Sequence, residues 1–288
     1  MRFGTLNIDG RATVVVISDD GQHYCEAGVL LPGFNGDMSD FIARLPMAPT
    51  DIGSGAWKSL AGLRLLAPIP VPRRNIFCIG KNYRDHVSEL SQTGLASAAA
   101  AVPAAPILFT KAPSSVIGDN EPVQSFAEVT SQLDYEAELA VVIGKPGRGI
   151  RKRDAWQHVW GYTIVNDISA RDVQQRHGQW FLGKSMDSFC PMGPWIVGAD
   201  GIDAGNLGVR CWINDELRQE GNTRDLIFDI PTIIETLSAG MTLQPGDVIA
   251  TGTPAGVGLG FNPPKFLKPG DVMKIEIDRI GTLTNCVV

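Results

Sequence analysis

The segment LDYEAELAVVIGK, Leu133 to Lys145, decides how the chain is read. Its apolar run is rich in Val and Ile and is closed by Gly144, which reads as a buried strand. Strand side chains alternate faces with period two. Glu136 and Glu138 therefore point the same way, with Cα atoms ~6.6 Å apart at ~3.3 Å per residue. Tyr135, Ala137, Leu139, Val141 and Ile143 take the other face. Beyond the acids, their own face continues with Ala140 and Val142, both apolar. Two like charges leading into an apolar face need a neutraliser, because desolvating them is costly. A pair of Arg or Lys residues would serve. So would a hard divalent cation, which takes carboxylate oxygens at ~2.0–2.1 Å in the case of Mg²⁺. A solvated strand face would also explain the pair. In GYTIVNDISARD the apolar run ends at Asn166-Asp167, so a third acid, Asp167, stands at a strand exit. Three carboxylates without a nearby His or Cys fit oxygen-only coordination. That means Mg²⁺ or Mn²⁺, with Ca²⁺ compatible and Zn²⁺ disfavoured.

The 288 residues suffice for one large domain, or a large one with a small partner. Hydrophobic residues at 44% against 19% charged give ample material for a core. Net charge is −6, and no Arg/Lys stripe suits a phosphate backbone, so nucleic acid is not an expected partner. No apolar run reaches the ~18 residues of a membrane span. The opening MRFGTLNIDGRATVVV lacks a signal-peptide pattern. Five scattered cysteines, none in CxxC, suggest reduced thiols and a cytoplasmic location.

Residues 1–72 read as a small α+β unit. RATVVVISDD suggests a strand or hairpin, and MSDFIARL a short helix capped by Ser39. LLAPIPVPRR, with three prolines in five residues, reads as an extended linker. From 73 to 288 strand signals dominate: NIFCIG, APILFT, ELAVVIG, YTIVND, PWIVG, VRCWIND, DVIATG and VMKIEID. Helices are expected at RDHVSELSQ, at KRDAWQHVW, and at DIPTIIETLSAG between an Asp229 N-cap and a Gly240 C-cap. Many short strands with few helices indicate a β-rich α+β fold rather than a doubly wound parallel sheet.

KNYRDHVSEL, LDYEAELAVVIG, VNDISARDVQ, FLGKSMDSFCPMGPWIV and PGDVIATGTPAGVG occur in this order. Together they resemble the fumarylacetoacetate hydrolase family across about residues 73–288. The resemblance implies a mixed β-roll or β-sandwich catalytic domain holding one Mg²⁺ or Mn²⁺ on Glu136, Glu138 and Asp167. It also implies a homodimer and a small-molecule substrate, a β-diketo or 2-oxo acid. Such an enzyme would cleave a C–C bond of an acylpyruvate, or alternatively decarboxylate or isomerise. A catalytically silent ligand-binding homologue is the contrasting class. The full fumarylacetoacetate hydrolases carry a fourth acidic ligand where this chain has Lys81-Asn82, so it looks like the shorter three-carboxylate type.

His86 precedes Glu89 by three residues, so the two share a helical face. A carboxylate beside imidazole orients it and raises its basicity. A surface i,i+3 pair would show the same spacing, but the family resemblance implies the base dyad. Lys184, in FLGKS, stands among apolar residues, where it can balance the acids or donate to an enolate. Snorkelling to solvent is its bland alternative. The resemblance assigns Arg171 and Gln174, four and seven residues after Asp167, to substrate binding, with Thr253 of ATGTPAGVG. That glycine-rich loop lacks a P-loop signature but can offer N–H groups to an anion. His177 sits in a polar loop and reads as solvated, while His23 and His158 read as structural. The Ala-rich stretch running from His86 to about Pro103 suits a lid.

Overall fold

The computed structural model describes every residue except 46, 50, 51, 53–56 and 93–101. Half of the expected lid, residues 93–101, therefore lies outside the described residues.

The first 72 residues supply β1 (Arg2–Ile8), β2 (Arg11–Ile17), β3 (His23–Glu26), α1 (Met38–Arg44), β4 (Lys58–Ser59) and β5 (Arg64–Leu66). Next come β6 (Ile76–Gly80), α2 (Arg84–Gln92), β7 (Ile107–Lys111), β8 (Val116–Ile117), β9 (Leu133–Asp134) and β10 (Ala137–Ile143). The middle of the chain forms β11 (Val159–Asn166), β12 (Ser169–Ala170), α3 (Arg171–Arg176), α4 (Phe181–Lys184) and β13 (Cys190–Gly198). The remainder forms β14 (Gly208–Ile213), β15 (Glu216–Asn222), α5 (Ile230–Ser238), β16 (Val248–Ala250), β17 (Val272–Ile277) and β18 (Gly281–Cys286). This is a β-rich α+β fold, as expected.

The main sheet runs β4-β3-β2-β1-β13-β11-β10-β16-β6-β7 and is mixed, since β16 pairs with β6 in parallel while β10 is antiparallel to β11 and β16. A four-stranded sheet, β15-β14-β17-β18, packs against it. The alternation read in β10 accounts for the layering. Leu139, Val141 and Ile143 enter a core shared with Val209, Ile213, Ile275 and α5, whereas Ala140 and Val142 enter a second core with Phe3, Phe41 and Trp160. Because both faces are covered, β10 is buried throughout. The N-terminal hairpin joins the same sheet, as β1 pairs with β13 through Arg2↔Val197 and Phe3↔Ile196.

Local details differ from expectation. Asp37, not Ser39, caps α1, accepting the Asp40 N–H at 2.7 Å, and Ser39 is buried. Asp carries its acceptor as a charge at the positive helix end, which favours it over Ser. Asp229 caps α5 as expected, but the helix closes on Ala239, with Gly240 one residue beyond. KRDAWQHVW forms 3₁₀ turns over Lys152–His158 before Val159 enters β11. The proline-rich linker starts inside a strand, since Leu65 and Leu66 pair with β1. The strand carrying the two acids is interrupted: Glu136 lies between β9 and β10, and only Glu138 is within β10.

Candidate active site

That interruption is what brings the acids together. The Asn166 side chain accepts the Glu136 N–H at 3.0 Å, and Asp167 N–H donates to the Glu136 carbonyl at 2.9 Å. The end of β11 is thus pinned to the entry of β10. Glu136, Glu138 and Asp167 are all buried, and one oxygen from each lies within 4.8 Å of the others.

Cations surround two of the three. Lys184 Nζ donates to Glu136 at 2.8 Å and to Asp167 at 2.7 Å. Arg171 bridges Glu136 (2.7 Å) and Asp134 (2.9 Å). Lys111 Nζ, wholly buried at the end of β7, donates to Asp167 at 2.5 Å and to the Ile168 carbonyl at 3.0 Å. Neither Lys111 nor Asp134 stood out in the sequence. Glu138 receives only the Gly252 N–H, at 2.7 Å, and forms no ion pair among the described residues.

The titration behaviour follows these partners. Burial alone would raise Glu136, but Lys184 and Arg171 overcome it and hold the carboxyl well below its usual range. Burial works against the Lys184 ammonium, yet Asp167 and Glu136 outweigh it and keep its pKa above the usual value. Glu138 goes the other way: burial, then the neighbouring Asp167 and Glu136 charges, push it well above the carboxylate range.

Four buried carboxyl groups thus face three buried cations, and Glu138 is the one without an ion-pair partner among the described residues. The three converging groups present oxygen donors only. This set fits a hard divalent cation, which would supply the charge that Glu138 lacks.

The glycine-rich loop does present N–H groups to anions, and those anions are the protein's own carboxylates. Gly252 donates to Glu138, Gly256 to Glu89 at 2.8 Å, and Gly258 and Leu259 to Asp134 at 2.6 and 3.0 Å. Gly256 stands at φ +102, and a Cβ there would lie 1.8 Å from the Arg218 carbonyl, so glycine is obligatory. Thr253 accepts from Gln219 Nε2 at 2.8 Å. Asn82 is spent on backbone, donating to the Thr251 and Phe228 carbonyls and accepting the Phe228 N–H.

On α2, His86 Nδ1 lies 3.1 Å from Glu89 Oε2, with His86 buried. Since Glu89 accepts, Nδ1 carries the proton and Nε2 is left as the basic nitrogen. His86, Glu136, Glu138, Arg171, Gln174, Lys184 and Thr253 all line one cavity of about 420 Å³. Asp167 lies beneath Lys184, and Glu89 behind His86. Arg171 and Gln174 lie on α3, which begins at Arg171, and both line the cavity. His177 is exposed and is not among the lining residues, although Gln175 and Gly178 are. Trp180 and Phe109 also line the cavity and carried no signal in the sequence, and so does Lys81, which the sequence marked only as standing where a fourth acidic ligand would be. Among the described residues no helix is long and apolar enough to cross a membrane.

Residues 75–288 match the family description "Fumarylacetoacetate (FAA) hydrolase C-terminal". The chain is 55% identical over 245 residues to the oxaloacetate tautomerase YisK of Bacillus subtilis, covering 85% of this chain and 79% of that protein. It is 46% identical over 233 residues to the mitochondrial oxaloacetate tautomerase fahd2 of Xenopus laevis, covering 80% and 70% respectively. A solved fumarylacetoacetate hydrolase from Exiguobacterium antarcticum superposes with a TM-score of 0.87 at 42% identity, over 100% of this chain and 99% of that one.

Proposed function

The chain belongs to the fumarylacetoacetate hydrolase family, and on that premise we propose that it is a keto–enol tautomerase of a short 2-oxo diacid, oxaloacetate being the model substrate. The observation that carries this is the placement of one oriented base, His86, in the same cavity as the buried cluster of carboxylates and cations. Likeness to two oxaloacetate tautomerases supports proton transfer over bond cleavage.

Glu136, Glu138 and Asp167 would hold Mg²⁺ or Mn²⁺, with Ca²⁺ as a substitute of the same donor preference. Bound there, such an ion polarises a 2-oxo group as a Lewis acid. The chain's own residues do the rest. Arg171 has a buried Nη2 without a hydrogen-bond partner among the described residues, a donor ready for the substrate's first carboxylate. Gln174 and Thr253 border the same space and limit its rotation. Glu89, itself fixed by Gly256, holds His86 so that Nε2 takes a proton from C3. The C3–H bond breaks, the C2–C3 double bond forms, and the proton returns on the 2-oxygen to give the enol. Lys184 places an ammonium beside the cluster, where it offsets negative charge gathering on that oxygen.

Acylpyruvate hydrolysis, the expectation drawn from the sequence, is the second reading, and the likeness to the E. antarcticum fumarylacetoacetate hydrolase supports it. There His86 would take its proton from water instead. Decarboxylation would use the same enolate without a base. The proposal further takes residues 1–72 as a unit appended to the catalytic part, and the protein as a cytoplasmic homodimer. All five cysteines are free, which suits a reducing compartment. Light scattering tests the dimer.

The deciding experiment follows oxaloacetate in D₂O by NMR beside an acylpyruvate panel. Accelerated C3 deuteration without pyruvate release supports tautomerisation. Cleavage of the acylpyruvates with unaccelerated exchange on oxaloacetate would overturn it in favour of hydrolysis.

A further inference from the structure

Lys81 has no part in the reaction drawn above, yet it borders the same cavity. It follows β6 directly and takes a left-handed backbone, φ +56, which a side-chain-bearing residue adopts only under constraint. The surrounding packing enforces that turn. A Cβ at the preceding Gly80 would lie 2.4 Å from the Trp180 ring, and the following Asn82 is tied to the Thr251 and Phe228 carbonyls. Backbone strain of this kind aims a side chain where a relaxed strand end would not.

The ammonium so placed is half-buried and has no carboxylate partner among the described residues. Burial lowers its pKa, and no acid of the site acts on it, unlike Lys184 and Lys111, which are spent on Glu136 and Asp167. Among the described residues the cavity therefore holds two cationic donors not committed to an acid, Arg171 Nη2, whose guanidinium also contacts Glu136 and Asp134, and Lys81, on which no acid of the site acts. Two such anion receivers lining one cavity suit a ligand with a carboxylate at each end.

We propose that Lys81 receives the second carboxylate of a short 2-oxo diacid and so selects diacids over monoacids. This rests on the reading of the cavity as a 2-oxo acid site. Lys81 is a specificity residue in this proposal, since the C3 proton falls to His86 and the charge on the 2-oxygen to Lys184.

The test is calorimetric binding in excess Mg²⁺ of two unreactive probes: 3,3-difluorooxaloacetate, which cannot enolise, and oxamate, which has one carboxylate. Lys81→Met keeps the stem and the backbone demand but removes the charge. It is expected to weaken difluorooxaloacetate about tenfold or more, the scale of one charged hydrogen bond, while oxamate changes less than about twofold. Lys81→Arg is expected to retain most of the diacid affinity. Equal weakening of both probes, or of neither, would overturn the proposal. Unchanged thermal unfolding of Lys81→Met separates a lost contact from a misfolded loop. Should the wild-type protein bind both probes but leave oxaloacetate unexchanged, the tautomerase reading fails while these affinities still decide the role of Lys81.

Discussion

Lys111 Nζ and Asp167 Oδ1 meet at 2.5 Å with both side chains fully buried, 56 residues apart in sequence. Asp167 thereby holds two ammonium groups, Lys111 on one oxygen and Lys184 on the other. Taking Lys111 away leaves Lys184 to serve both Glu136 and Asp167. Breaking one partner out of a buried pair costs on the order of 3–5 kcal/mol. Lys111→Met should therefore lower the unfolding free energy by about that amount in urea titrations without added metal. Saturating Mg²⁺ should recover part of the loss. A variant as stable as the wild type would show that the pair carries little of the fold.

His86→Ala should keep the fold and the metal affinity, because the ring bonds Glu89 and, among the described residues, makes no hydrogen bond to Glu136, Glu138 or Asp167. Enzyme-catalysed exchange at C3 should fall by about 10²–10⁴-fold. Glu89→Gln should fall less, since it disorders the imidazole without removing it. Full activity in His86→Ala would assign the base elsewhere.

Gly260 offers a test of the dyad from outside it. A Cβ there would lie 2.1 Å from Glu89 Oε1 and 2.2 Å from its Cδ. Gly260→Ala should push the carboxylate off both His86 and the Gly256 N–H and lower activity toward the level of Glu89→Gln. Overpacking should cost about 1–3 kcal/mol of stability. Activity equal to wild type would mean that Glu89 does not position the imidazole.

Glu138 sets the pH behaviour. Its folded pKa is raised by burial and by its acidic neighbours, so above the unfolded value the folded metal-free protein keeps a proton that the unfolded chain has lost. Stability from this group is therefore full below the ordinary carboxylate pKa and falls as pH climbs toward the raised one. Glu136 is lowered, so its contribution is already complete above the ordinary carboxylate range and does not offset the fall. Thermal unfolding in EDTA should show declining stability through that window. Metal must displace the Glu138 proton, so affinity should rise by up to about tenfold per pH unit there. A pH-independent affinity would place the proton elsewhere.

Much of this was legible in the chain because β10 is short-range information. Its alternation of Leu139, Val141 and Ile143 against Ala140 and Val142 set two faces, and the acids fell on a predictable one. Asp167 was legible as the point where an apolar run stops. Lys111 was not: nothing in APILFTKAP marks its lysine as the partner of an aspartate 56 residues on. Asp134 was missed likewise, and Lys81 was read only as the place of an absent fourth acid, since their roles depend on contacts across strands and on loop geometry. Strands β15 (ELRQEGN) and β18 (GTLTNC) were missed because their faces are polar and their pairing is tertiary.

Binding of a hard cation by Glu136, Glu138 and Asp167 is tested most directly by titrating metal-free protein with Mn²⁺ under electron paramagnetic resonance, beside Glu138→Gln. One saturable Mn²⁺ site per chain, lost in the variant while its fold is kept, is the expected result. Wild-type protein that leaves Mn²⁺ free in solution, or a variant that binds it equally well, would contradict it.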